Sequence, residues 1–145
     1  MAECKVGIVG VGKMGEYHVG VLSDMREAEL VGIVDSDQKR AKIVSERYKT
    51  SNYKDYKELF KKVDAVVVAV PTSMHYSIGK EFIEAGIHTL LEKPCTDDLR
   101  QAEELFDIAA KKNVTLHIGH VERFNGAVQE LFKIVKDPIY IECRR

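Results

Sequence analysis

The chain has 145 residues, of which 45% are hydrophobic and 31% are charged. This length and balance predict one compact globular unit and argue against a disordered protein. Lys and Arg number 22 and Asp and Glu number 23, which gives a net charge of −1. No charge excess is available to attract nucleic acid or an anionic membrane, so we expect neither as a partner.

The apolar segments are too short for a membrane protein. The longest covers residues 65–70, whereas a transmembrane helix needs about 20 apolar residues. The first residues lack the basic and apolar leader of an exported protein. Cys4, Cys95 and Cys143 are odd in number and far apart, which is typical of free thiols in a reducing compartment. We therefore expect a cytoplasmic protein, with Cys95 as a small buried side chain rather than a reactive thiol.

Short apolar segments alternate with amphipathic segments along the chain. The apolar segments predict strands at residues 5–9, 30–34, 65–70, 88–91 and 115–118, with residues 52–53 as a possible edge strand. The intervening segments predict helices over residues 14–25, 38–47, 56–61, 73–85 and 97–112. Thr96 is the predicted N-cap of the last helix, and Gly86 the C-terminal cap of the helix before it. The βα alternation predicts an α/β fold with a doubly wound, mostly parallel sheet.

The pattern changes after residue 120. Residues 124–136 are helical in pattern and stop before Pro138. Residues 139–143 then alternate like a strand that has no partner. We therefore assign residues 1–120 to a nucleotide-binding domain, and residues 121–145 to a linker helix and the first strand of a truncated second domain.

The first predicted strand is followed by the motif G-x-G-x-x-G, which leads directly into a helix. Gly10 would form the tight turn, Gly12 would let the backbone approach a diphosphate, and Gly15 would let the helix pack closely on the sheet. Lys13 and Met14 would contribute N–H groups at the helix N-terminus. A glycine-rich turn without a ligand is the alternative, and the position between strand and helix favours dinucleotide binding.

An acidic residue ends the second predicted strand, 20 residues beyond Gly15. Asp35, with Ser36 beside it, would accept hydrogen bonds from an adenosine ribose. Its carboxylate would repel a 2′-phosphate, which favours NAD over NADP. Lys39 and Arg40 leave NADP as an alternative cofactor, although solvated charges on a helix are their more ordinary explanation.

Three further clusters stand at predicted strand ends, where ligands bind in such sheets. They are V-P-T-S-M-H from residue 70, E-K-P from residue 92 and G-H-V-E-R-F-N from residue 119. Together with the glycine motif they closely resemble the Gfo/Idh/MocA family, the glucose-fructose oxidoreductase and inositol dehydrogenase group. The resemblance spans almost the whole chain. It implies an NAD(P)-dependent dehydrogenase of a sugar, cyclitol or nucleotide sugar, with a Rossmann domain followed by an α/β domain through which subunits associate as homo-oligomers.

The resemblance also implies roles for individual residues. Lys93 would lie beside the nicotinamide and the reacting carbon, and Pro94 would follow a cis peptide. The family's remaining catalytic groups belong to its second domain and have no counterpart up to Arg145, so we expect this chain alone to be inactive. The predicted cofactor-binding residues are Gly10, Gly12, Lys13, Met14, Gly15, Asp35, Ser36, Arg40, Val70, Pro71, Thr72, His75, Glu92 and Lys93, and the predicted substrate side consists of His120, Arg123 and Asn125.

The chemistry of a lysine at this place supports the same role. Beside an oxidised nicotinamide, Lys93 would relay the proton of a substrate hydroxyl while the hydride passes to the cofactor. A surface lysine paired with Glu92 is the alternative.

The five histidines of the chain do not suggest a metal site. His75, His117 and His120 lack the C-x-x-C or H-E-x-x-H spacing of metal ligands, so we predict no metal. His18 and His88 are interpreted as packing or surface residues.

Two functions of different classes remain open. The first is the oxidoreductase, for which the G-H-V-E-R-F-N segment looks most like members acting on nucleotide-activated amino sugars such as UDP-N-acetylglucosamine. A related reductase, of the biliverdin or dihydrodipicolinate type, is a variant of it. The second is a stand-alone NAD(H)-binding module without chemistry of its own. The unpaired strand at the end of the chain favours the first.

Overall fold

A computed structural model describes residues 4–142. Within these residues, six strands form one sheet flanked by five α-helices. The strands are β1 (Cys4–Val9), β2 (Ala28–Val34), β3 (Ser51–Tyr53), β4 (Ala65–Val68), β5 (His88–Leu91) and β6 (Leu116–Ile118). The helices are α1 (Lys13–Asp24), α2 (Gln38–Tyr48), α3 (His75–Glu84), α4 (Leu99–Lys112) and α5 (Gly126–Ile134). None of these helices has the length and apolar composition needed to cross a bilayer.

The strand order is β3-β2-β1-β4-β5-β6, and every neighbouring pair is parallel. The chain winds outward from β1 to β3, then returns to the centre and winds the other way from β4 to β6. This is the order of a Rossmann fold, and it confirms the predicted doubly wound sheet. The winding direction reverses between β1 and β4, so a crevice opens beyond the carboxyl ends of these two strands.

The two faces of the sheet are both buried, as the apolar run in β4 predicts. Val66 and Val68 belong to one apolar cluster, which Phe82 of α3 also enters. Val67 points to the other face and joins a second cluster that contains Ile33 of β2. Side chains that alternate between two covered faces explain why this strand carries no polar position.

The predicted cap of α4 is wrong. The helix begins at Leu99, and its N-cap is Asp98, whose carboxylate accepts a hydrogen bond from the Arg100 N–H at 2.7 Å. The Thr96 hydroxyl instead donates to the Asp98 carbonyl oxygen at 2.7 Å. An N-cap must stand directly before the first helical residue to reach the free N–H groups, and Asp98 stands there. The Gly86 cap is confirmed by its positive φ of 81°.

Three segments near the crevice are shorter or tighter than predicted. The fourth strand ends at Val68 rather than at residue 70. The helix predicted over residues 73–85 is a 3₁₀ turn, Thr72–Met74, followed by α3, and the one predicted over residues 56–61 is a 3₁₀ turn, Tyr56–Leu59.

The strand predicted over residues 139–143 is absent from its described part, residues 139–142. Ile139 is fully exposed and Tyr140 is 79% exposed. A strand is held by hydrogen bonds to a neighbouring strand, and none of the described strands pairs with this segment. Cys143 lies outside the described residues.

Candidate functional site

The loop between β1 and α1 contains three glycines that serve different purposes. Gly10 has a φ of +88°, and a Cβ there would lie 2.5 Å from the Ala69 carbonyl oxygen. A Cβ at Gly15 would overlap the Gly10 carbonyl oxygen. A Cβ at Gly12 would meet no heavy atom within 4 Å. The fold therefore requires Gly10 and Gly15, whereas Gly12 leaves open space in front of the backbone.

The first turn of α1 provides hydrogen-bond donors for a ligand. Its N-cap is Gly12, and no side chain caps the turn. Lys13 and Met14 both line the crevice beside it. An uncapped helix N-terminus carries free N–H groups and a partial positive charge, so this turn suits a diphosphate.

The glycine loop forms one wall of a cavity of about 730 Å³, within the size range of cofactor sites. The structure brings most of the predicted cofactor-binding residues to this cavity. Those that line it are Gly10, Gly12, Lys13, Met14, Asp35, Ser36, Arg40, Val70, Pro71, Glu92 and Lys93. Gly15, Thr72 and His75 are not among its lining residues. Gly15 lies beneath the loop, where it contacts Gly10.

The loop after β3 also lines the cavity and was missed by sequence reasoning. It contributes Lys54, Asp55 and Tyr56. The Tyr56 hydroxyl donates to the Glu81 carboxylate at 3.2 Å. Burial, together with this carboxylate, raises the pKa of Tyr56, so the hydroxyl stays protonated and neutral. The signal available in the sequence was their position after the edge strand, at the same end of the sheet as the other clusters.

Asp35 is 5% exposed, and four donors surround its carboxylate. The Val11 N–H and the Asp37 N–H donate to it at 2.8 Å each. The Arg40 guanidinium donates twice, at 3.0 Å to Oδ1 and at 3.3 Å to Oδ2. A carboxylate has about four acceptor positions, so a ribose hydroxyl would have to replace a contact of Arg40. The Arg40 side chain remains 46% exposed at the cavity, which keeps a 2′-phosphate possible as a ligand.

These contacts predict how stability depends on pH. Burial acts to raise the pKa of Asp35, but hydrogen bonds from Arg40, Val11 and Asp37 outweigh it, and the folded-state pKa lies below 3.8. Asp35 therefore contributes stability above pH 3.8, and this contribution is lost as the pH falls through the lower, folded pKa. We expect the free energy of unfolding to fall more steeply in the wild type than in Asp35→Asn below pH 3.8, as measured by urea titrations at several pH values. Equal slopes would contradict the assignment.

His75 contacts the segments that follow β4 and β5. It is 1% exposed. Its Nδ1 lies 2.8 Å from the Pro94 carbonyl oxygen, and its Nε2 lies 2.9 Å from the Val70 carbonyl oxygen. Which of the two nitrogens carries the proton in a neutral ring depends on the tautomer. The contacts join His75 to the segment at Val70, which lines the cavity, and to Pro94, which follows the lining residue Lys93.

Removing this imidazole should cost stability. We expect His75→Leu to lower the free energy of unfolding by about 1–3 kcal/mol, because the buried imidazole and its hydrogen bonding to the loop carbonyl oxygens are lost. Chemical denaturation measures the change. The matched control is His117→Leu, at an exposed position of β6, with an expected change within about 0.5 kcal/mol. A His75 variant as stable as this control would contradict the supporting role.

The E-K-P segment follows β5 at the mouth of the cavity. Glu92 is 4% exposed, and its Oε2 accepts a hydrogen bond from the Lys93 backbone N–H at 3.1 Å. The peptide between Lys93 and Pro94 is cis, as the resemblance implies. The Lys93 side chain is exposed, and no carboxylate of residues 4–142 forms a salt bridge with it. The alternative of a lysine paired with Glu92 therefore does not describe this geometry.

The predicted substrate-side residues lie on a 3₁₀ turn, Val121–Phe124, and at the start of α5. His120, Arg123 and Asn125 are exposed and do not line the cavity. The Asn125 side chain caps α5 by accepting the Ala127 N–H at 3.0 Å. This chain alone does not bring them to the cofactor cavity.

Comparison with known proteins shows the family to which this chain belongs. Residues 4–120 match the Gfo/Idh/MocA family, described as an oxidoreductase family with an NAD-binding Rossmann fold. The chain belongs to the Gfo/Idh/MocA family. This confirms the resemblance carried by the strand-end clusters and the predicted NAD-binding Rossmann domain.

Individual relatives of this family agree. The chain is 32% identical to the UDP-N-acetylglucosamine 3-dehydrogenase of Acidithiobacillus ferrooxidans, with 100% of this chain and 46% of that protein covered. It is 28% identical to the glucose-6-phosphate 3-dehydrogenase of Bacillus subtilis, with 90% of this chain and 37% of that protein covered. The chain thus spans less than half the length of these relatives.

Solved structures of other proteins share the fold. The UDP-N-acetylglucosamine 3-dehydrogenase of Acidithiobacillus ferrooxidans superposes with a TM-score of 0.86 at 32% identity, covering 92% of this chain and 43% of that one. GenD2 from gentamicin A biosynthesis, in complex with NAD, superposes with a TM-score of 0.79 at 30% identity, covering 82% of this chain and 35% of that one.

Two further features that the sequence raises are the thiol of Cys95 and a metal site. Cys95 packs partly buried against the core, and burial raises the pKa of its thiol. The thiolate fraction is therefore small, as suits a packing role. Over residues 4–142, no three His, Cys, Asp or Glu side chains are grouped as a metal site would require.

Proposed function

We propose that this chain is the cofactor-binding part of an NAD-dependent dehydrogenase that oxidises a hydroxyl of a sugar, cyclitol or nucleotide sugar. The observation that carries the proposal is the position of Lys93. It lines the same cavity as the glycine loop, and its ammonium group has no salt bridge within the described residues. A free amine beside a cofactor site is suited to proton transfer.

Different residues of the chain would bind the cofactor and take part in the reaction. The first turn of α1, with Gly12 in front of it, would hold the diphosphate of NAD, and Asp35 with Arg40 would flank the adenosine ribose. NAD supplies the hydride acceptor when it is bound. Lys93 Nζ takes the proton of the substrate hydroxyl as the carbon–oxygen double bond forms. The amine must be unprotonated to do so, and the proton then leaves to solvent at the exposed mouth.

A nucleotide-activated amino sugar such as UDP-N-acetylglucosamine is the proposed substrate. The support is the 32% identity to the UDP-N-acetylglucosamine 3-dehydrogenase over the full chain. We also propose that the complete protein is cytoplasmic, for which Cys4 and Cys95 as free thiols are the support. A homo-oligomer is proposed on the family resemblance alone.

Calorimetric titration of this chain with NAD and with NADP tests the cofactor part. We expect one saturable NAD site, with NADP weaker. Asp35→Ala should weaken NAD binding at least about tenfold and reduce the preference for NAD, because the Val11 N–H and Arg40 lose their partner. The control is Asp107→Ala on the exposed face of α4, which should bind like the wild type. No binding of either cofactor would refute the proposal.

The competing function is a stand-alone NAD(H)-binding module. The enzyme expressed from its complete coding region decides between them, because only the dehydrogenase forms NADH when offered UDP-N-acetylglucosamine or related sugars. NAD binding without NADH formation across such a panel would favour the module.

A further inference from the structure

A histidine of helix α1 contacts the E-K-P segment at Glu92. His18 Nε2 lies 2.8 Å from Glu92 Oε1, and the two residues are 74 positions apart in the chain. The side chains of His18 and Glu92 are 18% and 6% exposed. His18 was interpreted from sequence as a packing or surface residue, and the structure gives it a specific polar partner instead.

The carboxylate of Glu92 is held from three sides. His18 contacts Oε1, and the Lys93 backbone N–H donates to Oε2 at 3.1 Å. On the third side lies Gly119 at the end of β6, where a Cβ would lie 2.9 Å from Oε1. The side chain thus has little room to move, and its two oxygens join helix α1 to the peptide of Lys93.

We propose that His18 is a positioning residue that acts on Lys93 through the buried carboxylate of Glu92. This inference rests on the proposed function, in which Lys93 accepts the substrate proton. The peptide that Glu92 holds sets the direction in which the Lys93 side chain leaves the backbone. His18 belongs to the helix whose first turn faces the diphosphate site, so the pair ties the lysine to the element that holds the cofactor.

This arrangement would fix the distance between Lys93 and the bound cofactor. A displacement of about 1 Å of a reacting group can cost about 100-fold in rate. A contact between the phosphate-binding helix and the peptide of Lys93 limits such displacement without touching the substrate. The expected signature is therefore a lower kcat with little change in the KM for NAD.

The first measurement is amide hydrogen exchange at Lys93, followed by NMR on this chain. His18→Leu removes the polar contact at similar volume, and we expect exchange of the Lys93 amide to become at least about tenfold faster, because its acceptor is no longer held. His18→Gln, whose amide nitrogen reaches about as far as Nε2, should bring the rate back to within about threefold of the wild type. The control is Ser23→Ala on the same helix, whose hydroxyl contacts only the Val19 carbonyl oxygen among the described residues.

Gly119→Ala tests the same carboxylate from the other side. Its Cβ would displace Glu92 Oε1, the oxygen that His18 contacts, while residue 18 itself stays histidine, and we expect the same faster exchange of the Lys93 amide. This variant keeps the test decisive if His18→Leu does not fold. Unchanged exchange in the folded members of this pair would overturn the inference.

The second measurement is steady-state kinetics on the enzyme expressed from its complete coding region. We expect His18→Leu to lower kcat about 10-fold to 100-fold with the KM for NAD within about threefold, and His18→Gln to restore most of kcat. Faster amide exchange with an unchanged kcat would overturn the inference. If the enzyme oxidises no sugar at all, the proposed function fails and the catalytic role of His18 falls with it, while the exchange rates still report the His18–Glu92–Lys93 connection separately.

Discussion

Replacing Lys93 with methionine should reduce the kcat of the enzyme expressed from its complete coding region by about 10²-fold to 10⁴-fold, the range for loss of a general acid or base. Methionine keeps most of the aliphatic stem and removes the amine. The fold should tolerate the change, because the Lys93 side chain is exposed and has no salt bridge within residues 4–142. The backbone N–H that donates to Glu92 remains in place.

The cofactor should still bind to this variant. We expect NAD affinity, measured by calorimetry on the 145-residue chain, to stay within about threefold of the wild type, since the residues proposed to hold the diphosphate and the ribose lie elsewhere in the cavity. Lys61→Met is the matched control at an exposed lysine outside the cavity, and it should leave both kcat and affinity unchanged. Full activity of Lys93→Met would remove Lys93 from the mechanism.

The strand-end clusters show how much of the site could be predicted from the sequence. Periodicity located β1, β4 and β5 to within two residues at each end, and parallel strands bring their carboxyl ends to one edge. Residues that directly follow those strands therefore had to meet. Eleven of the fourteen predicted cofactor-binding residues line the cavity for this reason.

Sequence spacing does not reveal contacts between residues that are distant in the chain. His18 and Glu92 are separated by 74 positions, and His75 reaches Pro94 across 19. Neither pair follows from helical or strand spacing, because each depends on how a helix packs over a strand end. Asp35 lines the cavity as predicted, but its four donors were not foreseen, since they come from the glycine loop at Val11, the turn at Asp37 and the Arg40 side chain of α2.

The glycine loop offers a sharper test of cofactor binding than any charged residue. Gly12 has φ −65° and ψ −166°, a conformation open to alanine, and its Cβ would meet nothing within 4 Å. Gly12→Ala should therefore leave the melting temperature within about 2 °C of the wild type. The added methyl group would stand where the diphosphate approaches the backbone, and we expect NAD affinity to fall at least about 100-fold.

Substitutions at two other glycines of the same region distinguish an effect on NAD binding from an effect on folding. Gly15→Ala places its Cβ against the Gly10 backbone, so α1 must move away from the sheet, and we expect a loss of about 2–4 kcal/mol of unfolding free energy. Gly20→Ala, also on α1, meets the Tyr48 hydroxyl at an ordinary 3.5 Å and should stabilise the helix by up to about 1 kcal/mol without changing NAD affinity. Calorimetry and thermal melts of the three variants distinguish these effects. If Gly12→Ala binds NAD as tightly as Gly20→Ala does, the diphosphate does not approach the backbone at Gly12, and the proposed diphosphate site is wrong.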